Sequence, residues 1–150
     1  MKRRKFMLSA SMVALTGAAT SSLSKPALSK NLQEIDMVTS WPKDFPGLAT
    51  SASRLGQRIT TMSNGKLKVN VHPRGSFIET SDSLTAVADG QAQMYHSIEY
   101  YWHQKSKAFN FFATVPFGLT ATEQSAWINF GGGQEYWDRL GKAFGVKPFL

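Results

Sequence analysis

Between residues 48 and 72 the apolar residues change their period. Leu48, Ala52, Leu55, Ile59 and Met62 recur in steps of four and three, which makes one face of a helix. Leu67, Val69 and Val71 then alternate with Lys66, Lys68 and Asn70, which makes one face of a strand. Asn64-Gly65 divides the two, glycine being the usual residue in the left-handed turn that ends a helix. An earlier strand runs from Glu34 to Ser40, with Ile35, Met37 and Thr39 on one face. Trp41-Pro42 closes it, because proline lacks an N–H and restricts the residue before it. Strand, helix, strand in this order favours a parallel pair with a crossover helix.

The rest of the chain continues the alternation. Ser81 or Asp82 is placed to cap a short helix carrying Leu84, Val87 and Ala88, closed by Gly90. Gln91 to Ser97 reads as a third strand, and an apolar run follows from Phe109 to Phe117. Thr120 or Thr122 opens a helix through Trp127, and Gly131-Gly132-Gly133 leads into another with Tyr136, Trp137, Leu140 and Phe144. Phe111, Phe112, Phe130, Trp137 and Phe144 are assigned to the core. Lys147 to Leu150 reads as the opening of a strand, so the chain is expected to be a piece of a longer protein. The fold class expected is α/β, a mixed or parallel sheet with flanking helices.

Residues 1–29 read as an export signal, with residues 30–150 as the domain. Lys2-Arg3-Arg4-Lys5 is a positive start, and Phe6 to Ala19 is weakly apolar and too short to span a bilayer. Ala27-Leu28-Ser29 offers the small residues of a cleavage site. Arg3-Arg4 resembles a twin-arginine signal, with an ordinary secretory signal as the alternative; either places the protein in the periplasm. These residues hold five basic and no acidic side chains, so the formal charge of +7 falls to +2 without them. The remaining basic residues are interleaved with polar ones, which argues against nucleic acid as a partner. The chain has no cysteine, which excludes disulfides and thiol chemistry.

Signals for catalysis are weak. His72, His96 and His103 lack the spacing of a metal-binding helix and read as solvated or structural. No G-x-S-x-G elbow occurs, and the triple glycine lacks the lysine of a phosphate loop, so it reads as a linker between helices. Glu99 is the one carboxylate in an aromatic setting and has no evident second acid.

Ligands in α/β sheets collect beyond the carboxyl ends of the strands. Two such ends carry unusual groups: Ser40-Trp41-Pro42 after the first strand, and Tyr95 through Trp102 after the third. Parallel strands would project both sets from one edge. Trp41 and Tyr101 then fit pocket lining as well as they fit core packing, whereas Tyr95, Tyr100 and Trp102 fit packing better.

VTSWPK (38–43), HSIEYYWHQKSKAFNFFATVPFGL (96–119) and AWINFGGGQEYWDRLGKAFGVKPF (126–149) together resemble the extracytoplasmic solute-binding subunits of TRAP transporters, most of all the branch that binds 2-oxo acids and related small carboxylates. The resemblance implies a two-lobed α/β protein of the periplasmic binding type, in which lobes close on a carboxylate and deliver it to TRAP permease membrane subunits. Residues 30–150 would supply most of the first lobe, incomplete and marginal on its own. The resemblance puts the ligand-clamping arginine, and the ligands of a bound cation in the full-length protein, beyond residue 150. It points to Trp41 and Tyr101 as ligand-facing, with Tyr100 and Phe117 after them, and admits a homodimer.

Two residues depart from that pattern. Tyr95 stands where relatives carry a small residue, and Glu99 stands beside the site where a small neutral residue is expected. Like charges about 4 Å apart repel by about 4 kcal/mol at an effective dielectric near 20, so Glu99 is expected to turn outward toward Lys105 or Lys107 rather than face a carboxylate. The alternatives for Glu99 are a ligand to a bridging cation, or a ligand that is not a bare carboxylate. The rivals to a binding protein are an exported enzyme with its catalytic residues further along, and a surface module offering aromatics to carbohydrate.

Overall fold

The computed structural model describes residues 32–150. The signal assigned to residues 1–29 lies outside them. Three parallel strands form one sheet in the order β2-β1-β3. They are β1 (Gln33–Thr39), β2 (Leu67–His72) and β3 (Met94–His96). β1 pairs with β2 from Gln33↔Leu67 to Val38↔His72, and with β3 from Met37↔Met94 to Thr39↔His96. Helices α1 (Leu48–Met62) and α2 (Ser83–Ala88) make the crossovers, and α3 (Ala121–Phe130) and α4 (Gly133–Ala143) follow. The α/β class with a parallel sheet is as the alternation of patterns requires.

The pleat sends neighbouring β3 residues, Met94 and Tyr95, into two cores. Met37 packs with Trp41 and Ala52, joined by Ala49, Val69, Val71, Met94 and Ile98, under α1. On the other side Leu84, Trp102 and Phe109 pack with Tyr95, Leu140, Phe144 and Val146. Full burial of side chains such as Trp102, Phe109 and Met37 contributes roughly 1.5–3 kcal/mol each.

Helix α1 is turned differently from its apolar pattern. Ala52 and Gly56 are buried, whereas Leu48, Leu55 and Met62 of the apolar face are exposed, Met62 at 86%. The reason is steric. A Cβ on Gly56 would stand 3.1 Å from Val71 Cγ2 and 3.2 Å from Val69 Cγ1, so the helix comes closest to the sheet along its smallest side chains.

Other expectations shift for equally local reasons. The third strand shortens to Met94–His96 because the amides of Gln91 and Ala92 bond back to Ala86 O at the end of α2. Thr120 caps α3, exchanging hydrogen bonds with Glu123 in a capping box. The triple glycine is a close passage between helices: a Cβ on Gly133 would lie 2.8 Å from Trp127 Cδ2. Residues 147–150 form no strand; Val146 N–H bonds to Gly141 O and Pro148 lies against Gly141, so this segment packs on α4. Phe111 and Phe130, expected inside, are exposed, while Trp137 is buried and stacks on Phe112 at 5.3 Å. Among the described residues no helix is long and apolar enough to cross a membrane.

The seat of α1 gives a direct expectation. In the full-length protein Gly56→Val should destabilise by about 1–3 kcal/mol in urea unfolding, because the added methyls meet Val69 and Val71. Met62→Ala should stay within about 0.5 kcal/mol.

Candidate functional site

All three strands run the same way, so their carboxyl ends share one edge of the sheet. That edge is knit together by hydrogen bonds. Ser40 N–H donates to His96 O at 3.2 Å, and Arg74 N–H donates to Trp41 O at 2.8 Å. Thr39 Oγ1 donates to His72 O at 3.0 Å, and the hydroxyls of Ser40 and Ser97 meet at 2.5 Å. Trp41 Nε1–H donates to His96 Nδ1 at 2.7 Å. Burial holds the pKa of His96 below its ordinary value, opposed by its own backbone carbonyl, and so favours the neutral ring.

Behind β3 the backbone turns into a 3-10 helix, Glu99–Trp102. Three residues per turn put Glu99 and Trp102 on the same side. Both are buried, and Trp102 Nε1–H donates to Ser81 O at 3.2 Å. Tyr100 and Tyr101 are the two remaining positions of the turn. They face outward, 38% and 41% exposed, with rings 5.0 Å apart. The cluster that reads as one aromatic block in sequence is thereby divided into a buried half and a presented half.

The four residues singled out for ligand contact do not share one environment. Tyr100 and Tyr101 are presented from the 3-10 helix. Trp41 is at the same edge but buried at 5% exposure, its indole edge-on to His96. Phe117 stands fully exposed on the loop before α3, with a left-handed φ of 59° that is costly for a bulky side chain. Among the described residues no ring contact joins Phe117 to the other three. Surface hollows of about 440 Å³ and 310 Å³ lie along α1 and are lined by none of the four. Among the described residues no three His, Asp or Glu side chains gather as a metal site.

Glu99 corrects the expectation that it turns outward toward Lys105 or Lys107. It points inward, 6% exposed, and Tyr95 Oη–H donates to its Oε1 at 3.1 Å. Burial pushes its pKa up to about 7 from an ordinary 4.5, opposed by the Tyr95 hydrogen bond. The Trp137 indole acts in the same sense as Tyr95 but lies outside hydrogen-bond geometry, so Glu99 Oε2 and Trp137 Nε1 are both buried without partners. Tyr95, the other departure, fills space beneath the edge, its ring 4.9 Å from Trp102. The sequence reading of His96 as solvated or structural did not include its contact with Trp41. The position of His96 opposite Thr39, two residues before Trp41, would have revealed it once the parallel register was assumed.

Residues 37–148 match the sequence model of the bacterial extracellular solute-binding proteins, family 7. The chain belongs to this family. The members of family 7 are solute-binding proteins rather than enzymes. A curated relative, the monocarboxylate 2-oxoacid-binding periplasmic protein of Nostoc sp., is 32% identical over 153 aligned residues, which take in 99% of this chain and 42% of the relative. The chain therefore spans about two fifths of that relative's length. The crystal structure of a TRAP periplasmic solute-binding protein from Pseudoalteromonas atlantica T6c, with bound sodium and pyruvate, is similar at a TM-score of 0.76 and 31% identity, over 79% of this chain and 36% of that one. A TRAP transporter solute-binding protein from Bordetella bronchiseptica RB50, a mixed-occupancy dimer with calcium and picolinate in one site, matches at a TM-score of 0.73 and 29% identity, over 75% and 34% of the two chains.

The buried acid makes stability depend on pH in a defined sense. A folded pKa raised from 4.5 to about 7 favours the neutral carboxyl, so its stabilisation is complete below pH 4.5 and is lost as pH rises through 7. The loss amounts to about 3 kcal/mol at one pKa unit per 1.36 kcal/mol. Glu99→Gln keeps the shape without the charge. In thermal melts of the full-length protein the variant and wild type should agree near pH 4.5, with the variant the more stable at pH 8. Parallel pH profiles would show that Glu99 ionises freely.

Proposed function

We propose that residues 32–150 are most of the first lobe of an exported, non-catalytic binding protein that captures a small 2-oxo acid such as pyruvate, or a related monocarboxylate, and delivers it to TRAP permease membrane subunits. The observation that carries this reading is the shared edge, where parallel β1 and β3 bring Ser40-Trp41 and the Tyr100-Tyr101 turn to one side of the sheet. Tyr101 and Tyr100 supply broad apolar faces with one polar tip each, suited to a short organic acid. Trp41 works from below as a buried support. Phe117, exposed on the loop before α3 of the same lobe, completes the proposed set of contacts.

The relatives support the chemical class, since one binds monocarboxylate 2-oxo acids and another holds pyruvate with sodium. A bound cation belongs to this reading for the full-length protein, as does a homodimer, for which the Bordetella bronchiseptica relative is the support. Residues 1–29 serve as a twin-arginine-type signal to the periplasm. The inward turn of Glu99 fits a carboxylate ligand: an acid whose pKa burial raises to about 7 carries less negative charge beneath the edge than an exposed one would, which reduces the repulsion.

The test is a titration of the full-length protein with pyruvate, followed by tryptophan fluorescence. Saturable quenching is expected. Tyr101→Ala should weaken binding by about tenfold or more, the range of one truncated aromatic contact. Phe130→Ala, at a position 91% exposed, serves as the control and should bind as wild type does. Equal affinity of the two variants would remove Tyr101 from the site.

A further inference from the structure

The indole of Trp41 has a single polar atom, and that atom can only donate. Its hydrogen bond to His96 Nδ1 at 2.7 Å therefore requires a lone pair on Nδ1, which leaves the proton of the neutral ring on Nε2. Adding a proton to Nδ1 would break this bond and charge a half-buried ring. The backbone is held as firmly as the ring. His96 pairs opposite Thr39, its carbonyl accepts from Ser40 N–H, and the Trp41 indole stands edge-on at 5.9 Å. The end of β1 thus sets both the place and the tautomer of His96.

Nε2–H is left over. It has no partner among the described residues, and it is not among their buried, unpartnered polar atoms, so it meets solvent at the edge. The neighbouring hydroxyls of Ser40 and Ser97 bond to each other, which uses one of their two protons. With its acceptor nitrogen in use, His96 can offer an incoming molecule one kind of polar contact, a donated proton. The carboxylate and carbonyl oxygens of a 2-oxo acid accept and never donate.

We infer that His96 donates from Nε2 to an oxygen of the bound acid, and that Trp41 is the positioning residue that keeps the proton on that nitrogen. The inference rests on the binding function proposed above and names the group in this lobe that favours an acceptor-only ligand. A lone hydrogen-bond acceptor at this position would repel the same oxygens, so the tautomer contributes to specificity as well as to affinity.

The test uses the full-length protein with ¹⁵N-labelled histidine. Long-range ¹H–¹⁵N spectra of the wild type should show His96 with a bare Nδ1 and a protonated Nε2, and pyruvate should shift the Nε2 signal while leaving His72 and His103 unmoved. In pyruvate titrations His96→Phe should weaken binding by about 10- to 100-fold, the range for a lost hydrogen bond to a charged group. His96→Gln, which keeps an N–H near the Nε2 position, should recover part of that loss. Trp41→Phe should give mixed tautomers and a smaller loss of about three- to tenfold. A proton found on Nδ1, a His96 signal that pyruvate does not move, or His96→Phe binding within about twofold of wild type would overturn the inference. Saturable binding with a silent His96 overturns it alone, whereas failure to bind any short 2-oxo acid overturns the proposed function as well.

Discussion

The pairing of β1 with β3 is the constraint on which the rest depends. The strands share three registered pairs, Met37↔Met94, Val38↔Tyr95 and Thr39↔His96, with flanking backbone bonds from Gln93 N–H to Asp36 O and from Ser40 N–H to His96 O. These contacts decide the direction in which both chains leave the sheet. Because the pairing is parallel, Ser40-Trp41 and the Glu99–Trp102 turn emerge together, and the Trp41–His96 hydrogen bond ties them where the ladder stops. An antiparallel pair would have sent them to opposite ends. The short β3 is held from both faces, by Met94 in the core under α1 and by Tyr95 in the core around Trp102.

Polar groups along this edge form a gradient. At the rim lie hydroxyls, an imidazole whose neutral form burial favours, and two presented phenols; one turn deeper lies Glu99, an acid whose pKa burial raises to about 7, so that it is about half protonated near neutral pH. Burial thus lowers, relative to an exposed carboxylate, the negative charge near the place where an organic anion is proposed to sit. The cost is carried by the fold, in two buried polar atoms without partners and in a stability that falls as pH rises toward 7.

Much of the architecture was legible because local signals and tertiary packing agreed. The alternation in residues 66–72, the glycine after Asn64 and the capping threonine before α3 each depend on the chain's immediate neighbourhood, and each element formed where expected. The misreadings arose where packing chose among several acceptable faces. Helix α1 had larger apolar side chains to bury than Ala52 and Gly56, yet the valines of β2 admit only the small ones. Glu99 looked outward-facing on charge alone, but the three-residue turn that buries Trp102 takes Glu99 with it. Trp41 and Tyr101 were placed at one edge by topology, whereas the division of labour between them, one supporting and one presented, depends on the hydrogen bond to His96 that only the register reveals.

A crystal structure of the full-length protein grown with pyruvate tests the shared edge most directly. Parallel pairing of β1 and β3 predicts the acid lying across residues 39–41 and 96–101, in contact with the Tyr101 ring. A ligand found instead beside Gln33 and Leu67, at the opposite ends of the strands, or in the groove between α1 and β2, would contradict it.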